Sequence, residues 1–454
     1  MRIHFIAIGG SAMHNLAIAL HLKGYEVTGS DDEIFEPALS RLTKYGLLPE
    51  EEGWFPSKLD PEPDAIILGM HAKGDNPELR SAREKGLRIY SYPEFLYEQS
   101  KNKIRVVIGG SHGKTTITAM ILHVLKACDI DVDYMVGARL EGYEVMVKLT
   151  EEAKFMVFEG DEYLTSALDK RPKFHLYMPD IALLSGIAWD HMNVFPTFDN
   201  YIDQFRKFIE LIPETGSLVY CSEDEVLKNL CLSTAPDIQK FAYSFLPHTI
   251  ENGATKLIYK ENHYPLGIFG KHNLMNLNGA MHVCRLMGID EDAFLNAIGS
   301  FKGASNRLEL LAAGKNAVAF KDFAHAPSKV KATISAMKEQ YPDRKLIACL
   351  ELHTYSSLSQ DFLPQYEGVM EMADVKIVYF NPHALALKKL PALADEQIIN
   401  AFKSDGLIVF SDSRKLEIYL RSLSWEMTNL LLMSSGNFDG MNFADLASLV
   451  VADK

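Results

Sequence analysis

The chain has 454 residues and a formal net charge of −14, with 47% hydrophobic and 23% charged residues. At about 150 residues per domain, this length predicts about three domains with ordinary packed cores. The acidic balance argues against a protein that binds nucleic acid or an anionic membrane, because both need basic patches. Five cysteines are scattered without a CxxC pair, and no leader-like or membrane-spanning apolar stretch is present. We therefore expect a cytoplasmic protein without disulfides or a zinc site.

The first hundred residues alternate strand and helix patterns. The apolar runs IHFIAIGG, YEVTGSD, DAIILG and LRIYSY end in small or polar residues, and MHNLAIALHLKG has helical spacing. This alternation predicts a parallel sheet with helical crossovers, as in a Rossmann-like domain.

Two features of this first part could bind a nucleotide. The first strand runs through glycines into a helix, so the start of that helix predicts a diphosphate seat. The residues expected there are Gly9, Gly10, Ser11, Ala12 and Met13. Asp31 closes the next strand, where acids bind ribose in dinucleotide folds. There are two alternatives to a diphosphate seat. The glycines allow close packing of strand and helix without any ligand, or the domain belongs to a nicotinamide-dependent oxidoreductase.

A phosphate-binding loop is predicted in VVIGGSHGKTTITAMILHVL, residues 106 to 125. A strand feeds a glycine loop and then a helix, which supplies free N–H groups and the positive end of a helix dipole. Lys114 is expected to reach the β- and γ-phosphates of ATP, and the Thr115 hydroxyl to bind Mg²⁺. The loop residues are Gly110, Ser111, His112, Gly113, Lys114, Thr115 and Thr116. It is shorter than the usual GxxxxGK[ST] pattern, because Ile108 stands five residues before Gly113.

Two further strand ends carry polar residues. FMVF is followed by Glu159-Gly160-Asp161-Glu162, and a later strand leads to Asp190 and His191. Ligands of open α/β sheets lie at the carboxyl ends of strands. Together with the phosphate loop, Glu159 and His191 therefore predict a Mg²⁺–ATP site, although a histidine ligand is unusual for Mg²⁺.

The last part of the chain, from about Gly303, shows five more strand-plus-loop units. These are AVAFKDFAHAP, KLIACLELHT, VKIVYFNPHA, LIVFSDS and NLLLMSSGNFDG. Helical patterns lie between them, so a second doubly wound domain is predicted.

Six motifs in chain order resemble the Mur ligases of peptidoglycan metabolism. They are GGSHGKTT, FEGDEY, WDHMN, GKHNLMN, FKGASNRLE and KDFAHAP. The resemblance implies an α/β fold of three domains. A Rossmann-like UDP-sugar-binding domain would span 1–102, a central P-loop ATPase domain with a mostly parallel sheet 103–302, and a Rossmann-like domain for the amine substrate 303–454. It also implies an ATP-dependent, Mg²⁺-requiring ligase of cell-wall biogenesis, monomeric or weakly homo-oligomeric.

The resemblance also implies roles for single residues. Lys114, His191 and Arg307 would be catalytic, and Thr115, Glu159 and His191 would hold metal. Asn273 and Asn276 resemble adenine contacts. Arg307 resembles an arginine that reaches the γ-phosphate, and Asp322 an acid near the nucleotide with His325 beside it. His71, in LGMHAKGDNPEL, falls in a segment that resembles part of the UDP-sugar site.

The amine substrate is predicted from the branch of the family that the chain resembles. MSSGNFDGMN and LGMHAKGDNPEL resemble the recycling branch, which joins UDP-N-acetylmuramate to L-alanyl-γ-D-glutamyl-meso-diaminopimelate through an acyl phosphate. The run Glu351-Leu352-His353-Thr354 lies between this branch and the branch that adds L-alanine to UDP-N-acetylmuramate, which is the main alternative. An oxidoreductase leaves GGSHGKTT and GKHNLMN unexplained, and a non-catalytic nucleotide-binding relative leaves the set of Lys114, Glu159, His191 and Arg307 unexplained.

Overall fold

The computed structural model describes residues 1–70, 72–166, 169–189, 194–251 and 253–452. The chain forms two compact units. The first comprises Met1–Ser244 and Leu277–Phe294, and the second comprises Phe245–Asn276 and Leu295–Lys454. None of the helices formed by the described residues combines the length and the apolar character needed to cross a membrane.

The first unit begins with a four-stranded parallel sheet of order β2-β1-β3-β4. Its strands are β1 (Arg2–Ile6), β2 (Glu26–Ser30), β3 (Ala65–Leu68) and β4 (Ile89–Ser91). The helices between and after them are α1 (Ser11–Leu22), α2 (Ala38–Lys44), α3 (Pro77–Glu84) and α4 (Tyr92–Ser100). All four residues of β3 are buried, which explains a continuous apolar run in place of an alternating one.

A seven-stranded sheet of order β11-β10-β9-β5-β8-β6-β7 completes the first unit. Its strands are β5 (Ile104–Gly109), β6 (Asp133–Met135), β7 (Val147–Lys148), β8 (Phe155–Glu159), β9 (Ile181–Leu184), β10 (Ser217–Cys221) and β11 (Gln239–Tyr243). The helices are α5 (Lys114–Ala127), α6 (Lys173–Leu176), α7 (Phe198–Glu210) and α8 (Glu225–Ser233). Two later helices, α9 (Lys271–Leu286) and α10 (Glu291–Ile298), each have residues in both units. Pairing is parallel except between β6 and β7. Because β5 lies between β8 and β9, the ends of these three strands meet at one edge.

The second unit contains two sheets. The strands β12 (His248–Glu251), β13 (Ala254–Tyr259) and β14 (Asn262–Leu266) form an antiparallel sheet. The larger sheet has the order β15-β16-β20-β17-β18-β19, and only β15 runs antiparallel to its neighbour. Its strands are β15 (Glu309–Ala313), β16 (Val318–Asp322), β17 (Lys345–Leu352), β18 (Val375–Phe380), β19 (Ile408–Phe410) and β20 (Thr428–Met433).

Helices cover both faces of the larger sheet. They are α11 (Pro327–Gln340), α12 (Pro382–Leu387), α13 (Asp395–Phe402), α14 (Ser413–Ser422) and α15 (Phe443–Val451). One core cluster contains Ile334 of α11 and Phe402 of α13, and another contains Leu420 of α14 and Leu446 of α15. The predicted α/β class with mostly parallel sheets is confirmed, whereas the division at residues 102 and 302 stays a prediction.

Candidate functional site

The predicted phosphate loop lies between the end of β5 and the start of α5. Gly110 has φ +123°, and a Cβ there would lie 2.2 Å from Ser185 Oγ at the end of β9. Only glycine fits this backbone without strain. Ser111 N donates to the Gly186 carbonyl at 3.0 Å, and Ser111 Oγ lies 2.9 Å from His112 Nδ1. The loop is therefore tied to the neighbouring strand end.

The start of α5 presents the N–H groups that a phosphate would need. Gly113 is the N-cap residue, and among the described residues no side chain caps the helix. Thr115 and Thr116 lie in the first turn and are buried. An uncapped helix N-terminus beside a glycine loop favours an anion.

Lys114 is fixed by two partners at the mouth of this loop. Its Nζ donates to the Gly110 carbonyl at 2.6 Å and to Glu162 Oε2 at 2.6 Å. Glu162 also accepts from the Tyr201 hydroxyl at 3.2 Å. Burial lowers the pKa of Lys114, but the neighbouring carboxylates, with Glu162 the strongest, outweigh it and hold the pKa above its ordinary value. Lys114 is therefore a cation aimed at the loop.

Thr115 and Glu159 bring two side-chain oxygens together at the start of α5 and the end of β8. Thr115 Oγ1 donates to Glu159 Oε1 at 2.6 Å, and Gly137 N donates to Glu159 Oε2 at 2.9 Å. Hydroxyl and carboxylate oxygens are the ligands that Mg²⁺ prefers, so these residues fit that ion. Among the described residues, no group of three or more His, Cys, Asp or Glu side chains is placed to hold a metal. The predicted ligand His191 lies outside the described residues.

Three carboxylates at the end of β8 and in the turn after it each pair with a different partner. Glu159 faces Thr115 and Glu162 faces Lys114, whereas Asp161 pairs with Lys173 at 2.7 Å. Burial raises the pKa of Asp161, but the Lys173 and Lys114 ammonium groups outweigh it and bring the pKa below its ordinary value. The sequence indicated the acidic turn, but not the role of Glu162 as the partner of Lys114.

The predicted diphosphate seat is the turn from β1 into α1. Gly10 is the N-cap residue, and no side chain caps α1 among the described residues. The Asp31 carboxylate accepts from Gly9 N at 2.7 Å and from Asp32 N at 3.0 Å, so it fixes this turn. Burial, with a contribution from Asp32, raises the pKa of Asp31 to about 6. His71 lies outside the described residues.

In the second unit, three predicted nucleotide contacts lie around Phe323. The Arg307 guanidinium lies 4.5 Å from the centre of the Phe323 ring, and His325 Nδ1 donates to the Phe323 carbonyl at 2.9 Å. Asp322 accepts from Thr333 Oγ1 at 2.5 Å. Arg307, Asp322 and His325 are thus neighbours at the end of β16.

The two predicted adenine contacts lie in the first turns of α9. Asn273 and Asn276 are both buried. Asn273 Nδ2 donates to the Phe269 carbonyl at 3.0 Å, which fixes the orientation of its amide.

A buried acid organises the strand ends of the larger second-unit sheet. Glu351 is 2% exposed at the end of β17. Its carboxylate accepts from the Ser434 hydroxyl and, at 2.9 Å, from Phe438 N. It thereby ties β17 to the loop after β20, which contains the SSGNFDG run. The sequence predicted both strand ends, but not the hydrogen bonds that join them through Glu351.

Two family profiles match the first two thirds of the chain. The profile described as "Mur ligase family, catalytic domain" matches residues 2–103. The profile described as "Mur ligase middle domain" matches residues 108–284. The matched region contains the turn at Gly9 and the phosphate loop.

Curated relatives and solved structures match over most of the chain. A UDP-N-acetylmuramate–L-alanine ligase of Limosilactobacillus reuteri is 30% identical over 78% of this chain and 80% of its own length. A UDP-N-acetylmuramate–L-alanyl-γ-D-glutamyl-meso-2,6-diaminoheptandioate ligase of Escherichia coli is 29% identical over 77% of this chain and 79% of its own length. The crystal structure of a murein peptide ligase of Psychrobacter arcticus covers 100% of both chains with a TM-score of 0.64 at 24% identity.

Proposed function

Because this chain belongs to the Mur ligase family, we propose that it joins UDP-N-acetylmuramate to the tripeptide L-alanyl-γ-D-glutamyl-meso-diaminopimelate. As a member it is an ATP-dependent ligase that forms a C–N bond in peptidoglycan biosynthesis or recycling. The observation that carries the proposal is the meeting of Lys114, Thr115, Glu159 and Glu162 at the adjoining ends of β5 and β8. This arrangement would offer a cation and free N–H groups to one polyphosphate, and oxygen ligands to its Mg²⁺.

The proposed reaction has two steps, and atoms balance in each. A carboxylate oxygen of UDP-N-acetylmuramate attacks the γ-phosphorus of ATP, which forms an acyl phosphate and releases ADP. The amine nitrogen then attacks the acyl carbon, loses a proton and expels phosphate. Both steps concentrate negative charge, so prearranged positive groups supply much of the acceleration.

The chain's own residues have separate tasks in this proposal. Lys114 neutralises charge on the transferring phosphoryl group, and Glu162 with the Gly110 carbonyl holds the ammonium in place. The loop Gly110–Thr116 and the start of α5 bind phosphate oxygens. Mg²⁺ held by Thr115 and Glu159, with His191 as a further proposed ligand, would supply Lewis-acid polarisation of the phosphate.

The remaining predicted residues keep their proposed roles. The turn from Gly9 to Met13, with Asp31 and His71, is the proposed UDP-sugar seat. Proposed nucleotide contacts in the second unit are Asn273, Asn276, Arg307, Asp322 and His325.

The tripeptide is favoured over L-alanine by the loop after β20. This loop resembles the recycling branch and is anchored on the buried Glu351 carboxylate. L-Alanine ligation is the second candidate, because alanine ligases match the chain at the same level of identity as the recycling enzyme.

Isotope transfer tests the proposed chemistry. The protein is incubated with ATP, Mg²⁺, the tripeptide and UDP-N-acetylmuramate that carries ¹⁸O in both oxygens of its lactyl carboxylate. We expect the UDP-N-acetylmuramoyl tripeptide and phosphate that contains one ¹⁸O per product formed. Unlabelled phosphate alongside product would rule out an acyl phosphate.

A further inference from the structure

A path of hydrogen bonds and short stretches of backbone joins the first turn of α1 to Glu159. It passes through residues 136–146, which we call the connecting segment. We propose that the connecting segment couples occupancy of the UDP-sugar seat to the position of Glu159, with Arg41 and Asn15 as positioning residues. The inference rests on the proposed function, which assigns the two ends of the path to the sugar nucleotide and to Mg²⁺–ATP.

The path begins at His14, which is 2% exposed. His14 Nδ1 lies 2.9 Å from the Gly10 carbonyl, and Nε2 lies 3.0 Å from Arg41 Nη1. A carbonyl only accepts and a guanidinium only donates, so Nδ1 carries the proton and Nε2 is the acceptor. Burial, together with the nearby Arg41 charge, lowers the pKa of His14 despite its bonds to backbone carbonyls, which agrees with this neutral form.

The side chains of Arg41 and Asn15 bind the backbone of the connecting segment. Arg41 Nη2 donates to the Glu144 carbonyl at 2.6 Å. Asn15 Oδ1 accepts from Met146 N at 3.0 Å, and Asn15 Nδ2 donates to the Ser11 carbonyl at 2.8 Å. The backbone of the segment is therefore bound to the first turn of α1, where the sugar nucleotide's diphosphate is proposed to lie.

The other end of the segment reaches the proposed metal site. Val136 N donates to the Met146 carbonyl at 2.9 Å, which closes the segment into a loop. The next residue, Gly137, donates its N–H to Glu159 Oε2 at 2.9 Å. Glu159 Oε1 accepts from the Thr115 hydroxyl. A displacement at Met146 is thus passed through Val136 and Gly137 to a proposed metal ligand.

The path has the physical properties that coupling needs. Asn15, Val136, Met146 and Glu159 are all less than 9% exposed, and leaving a buried polar group unpaired costs about 1–3 kcal/mol. A sugar nucleotide that orders the first turn of α1 therefore favours the arrangement in which Gly137 holds Glu159. Site–site coupling of this kind changes affinity by about 5- to 150-fold.

The test measures coupling and not activity. The dissociation constant of Mg²⁺ with a non-hydrolysable ATP analogue is determined by calorimetry, with and without saturating UDP-N-acetylmuramate. For the unaltered protein we expect the analogue to bind at least about fivefold more tightly when the sugar nucleotide is present. Arg41→Ala should bring this ratio to within twofold of one, while affinity for the analogue alone changes little.

Lys44→Ala is the matched control. Lys44 lies one turn from Arg41 on α2 and also pairs with Glu144, but through an exposed side-chain ion pair. Within the connecting segment Lys44 bonds only to the Glu144 side chain, whereas Arg41 bonds to the segment's backbone and also to the buried His14 ring. Removing the Lys44 ion pair should therefore leave the ratio at its unaltered value. Asn15→Ala removes the hydrogen bond to Met146 N and should also bring the affinity ratio to within twofold of one. This variant replaces Arg41→Ala if that protein fails to fold.

The possible results separate the two proposals. An Arg41→Ala or Asn15→Ala protein that keeps the full ratio overturns the coupling path, as does a ratio of one in the unaltered protein. A passive structural role would lower the unfolding midpoint of the variants and leave the ratio intact. If neither ligand binds the unaltered protein, the proposed function fails instead.

Discussion

The position and charge of Lys114 depend on its neighbours, Glu162 and the Gly110 carbonyl. The lysine itself was predictable from the strand–glycine–helix pattern, because a P-loop motif places it at fixed spacing. Its partner Glu162 was not, because an acid 48 residues away in sequence carries no signal of its contact. Likewise, Asp31 was predicted as a ribose-binding acid, and the structure adds its hydrogen bond to Gly9 N.

Replacing Lys114 removes the cation at the proposed phosphate site. We expect Lys114→Ala to lower kcat at least about 100-fold, roughly 2.7 kcal/mol of transition-state stabilisation. Steady-state phosphate release measures it. Lys126→Ala is the control, because Lys126 lies on the same helix but is exposed near the opposite end. A Lys114→Ala protein with near-normal turnover would refute the phosphate-loop assignment.

The raised pKa of Asp31 predicts a pH-dependent stability. An acid whose pKa rises from 3.8 to about 6 on folding binds its proton more tightly in the folded state. Its contribution to stability is therefore full below pH 3.8 and is lost as the pH rises through 6, a change of up to ~3 kcal/mol. Asp31→Asn removes this titration.

Urea unfolding between pH 4 and pH 7.5 measures the effect. The unfolding free energy of the unaltered protein should fall relative to that of Asp31→Asn as the pH rises. Parallel curves for the two proteins would show that Asp31 does not titrate differently on folding.

At the scale of elements, the phosphate loop depends on one close backbone approach. Gly110 combines a positive φ with a Cβ position 2.2 Å from Ser185 Oγ and 2.8 Å from Ser185 N. Gly110→Ala should therefore destabilise the protein by about 2 kcal/mol or more, since strain and a backbone clash add. It should also weaken binding of the ATP analogue.

Gly24→Ala is the control that separates backbone strain at a positive φ from the steric clash at Ser185. Gly24 has φ +92° and no atom within 4 Å of its Cβ position, so only the conformational cost of about 1 kcal/mol remains. Thermal unfolding of both variants makes the comparison. Equal losses would mean that the approach to Ser185 is unimportant.

Strands buried on both faces were easy to predict, whereas the edge strands β7 and β15 were not. The apolar runs of β5, β8, β9, β17, β18 and β20 stand out because parallel strands are covered on both sides. β7 has two residues and β15 is irregularly paired around Leu310 and Ala312, so neither gives a regular pattern.

At the scale of the whole molecule, the sequence identified a ligase family through the order of its motifs. No single motif was sufficient, because an imperfect phosphate loop or an acidic turn also occurs in unrelated proteins. The amine substrate was harder to predict, since the ends of β17 and β20 are shaped by contacts such as Glu351 with Phe438. Those contacts join positions 87 residues apart.

Ligand binding should stabilise the whole chain selectively. A ligand at 100 times its dissociation constant adds about 2.7 kcal/mol to the free energy of unfolding. We expect Mg²⁺ with an ATP analogue to raise the thermal midpoint, and NADH to leave it unchanged. A shift with NADH alone would favour the oxidoreductase alternative.

The most direct test is phosphate release with ATP, Mg²⁺ and UDP-N-acetylmuramate, comparing the tripeptide with L-alanine as the amine. We predict that release requires both the sugar nucleotide and an amine, and that kcat/KM is at least about 100-fold higher for the tripeptide, 2.7 kcal/mol of discrimination. Equal or better turnover with L-alanine would contradict the proposed substrate, and release without the sugar nucleotide would contradict the ligase itself.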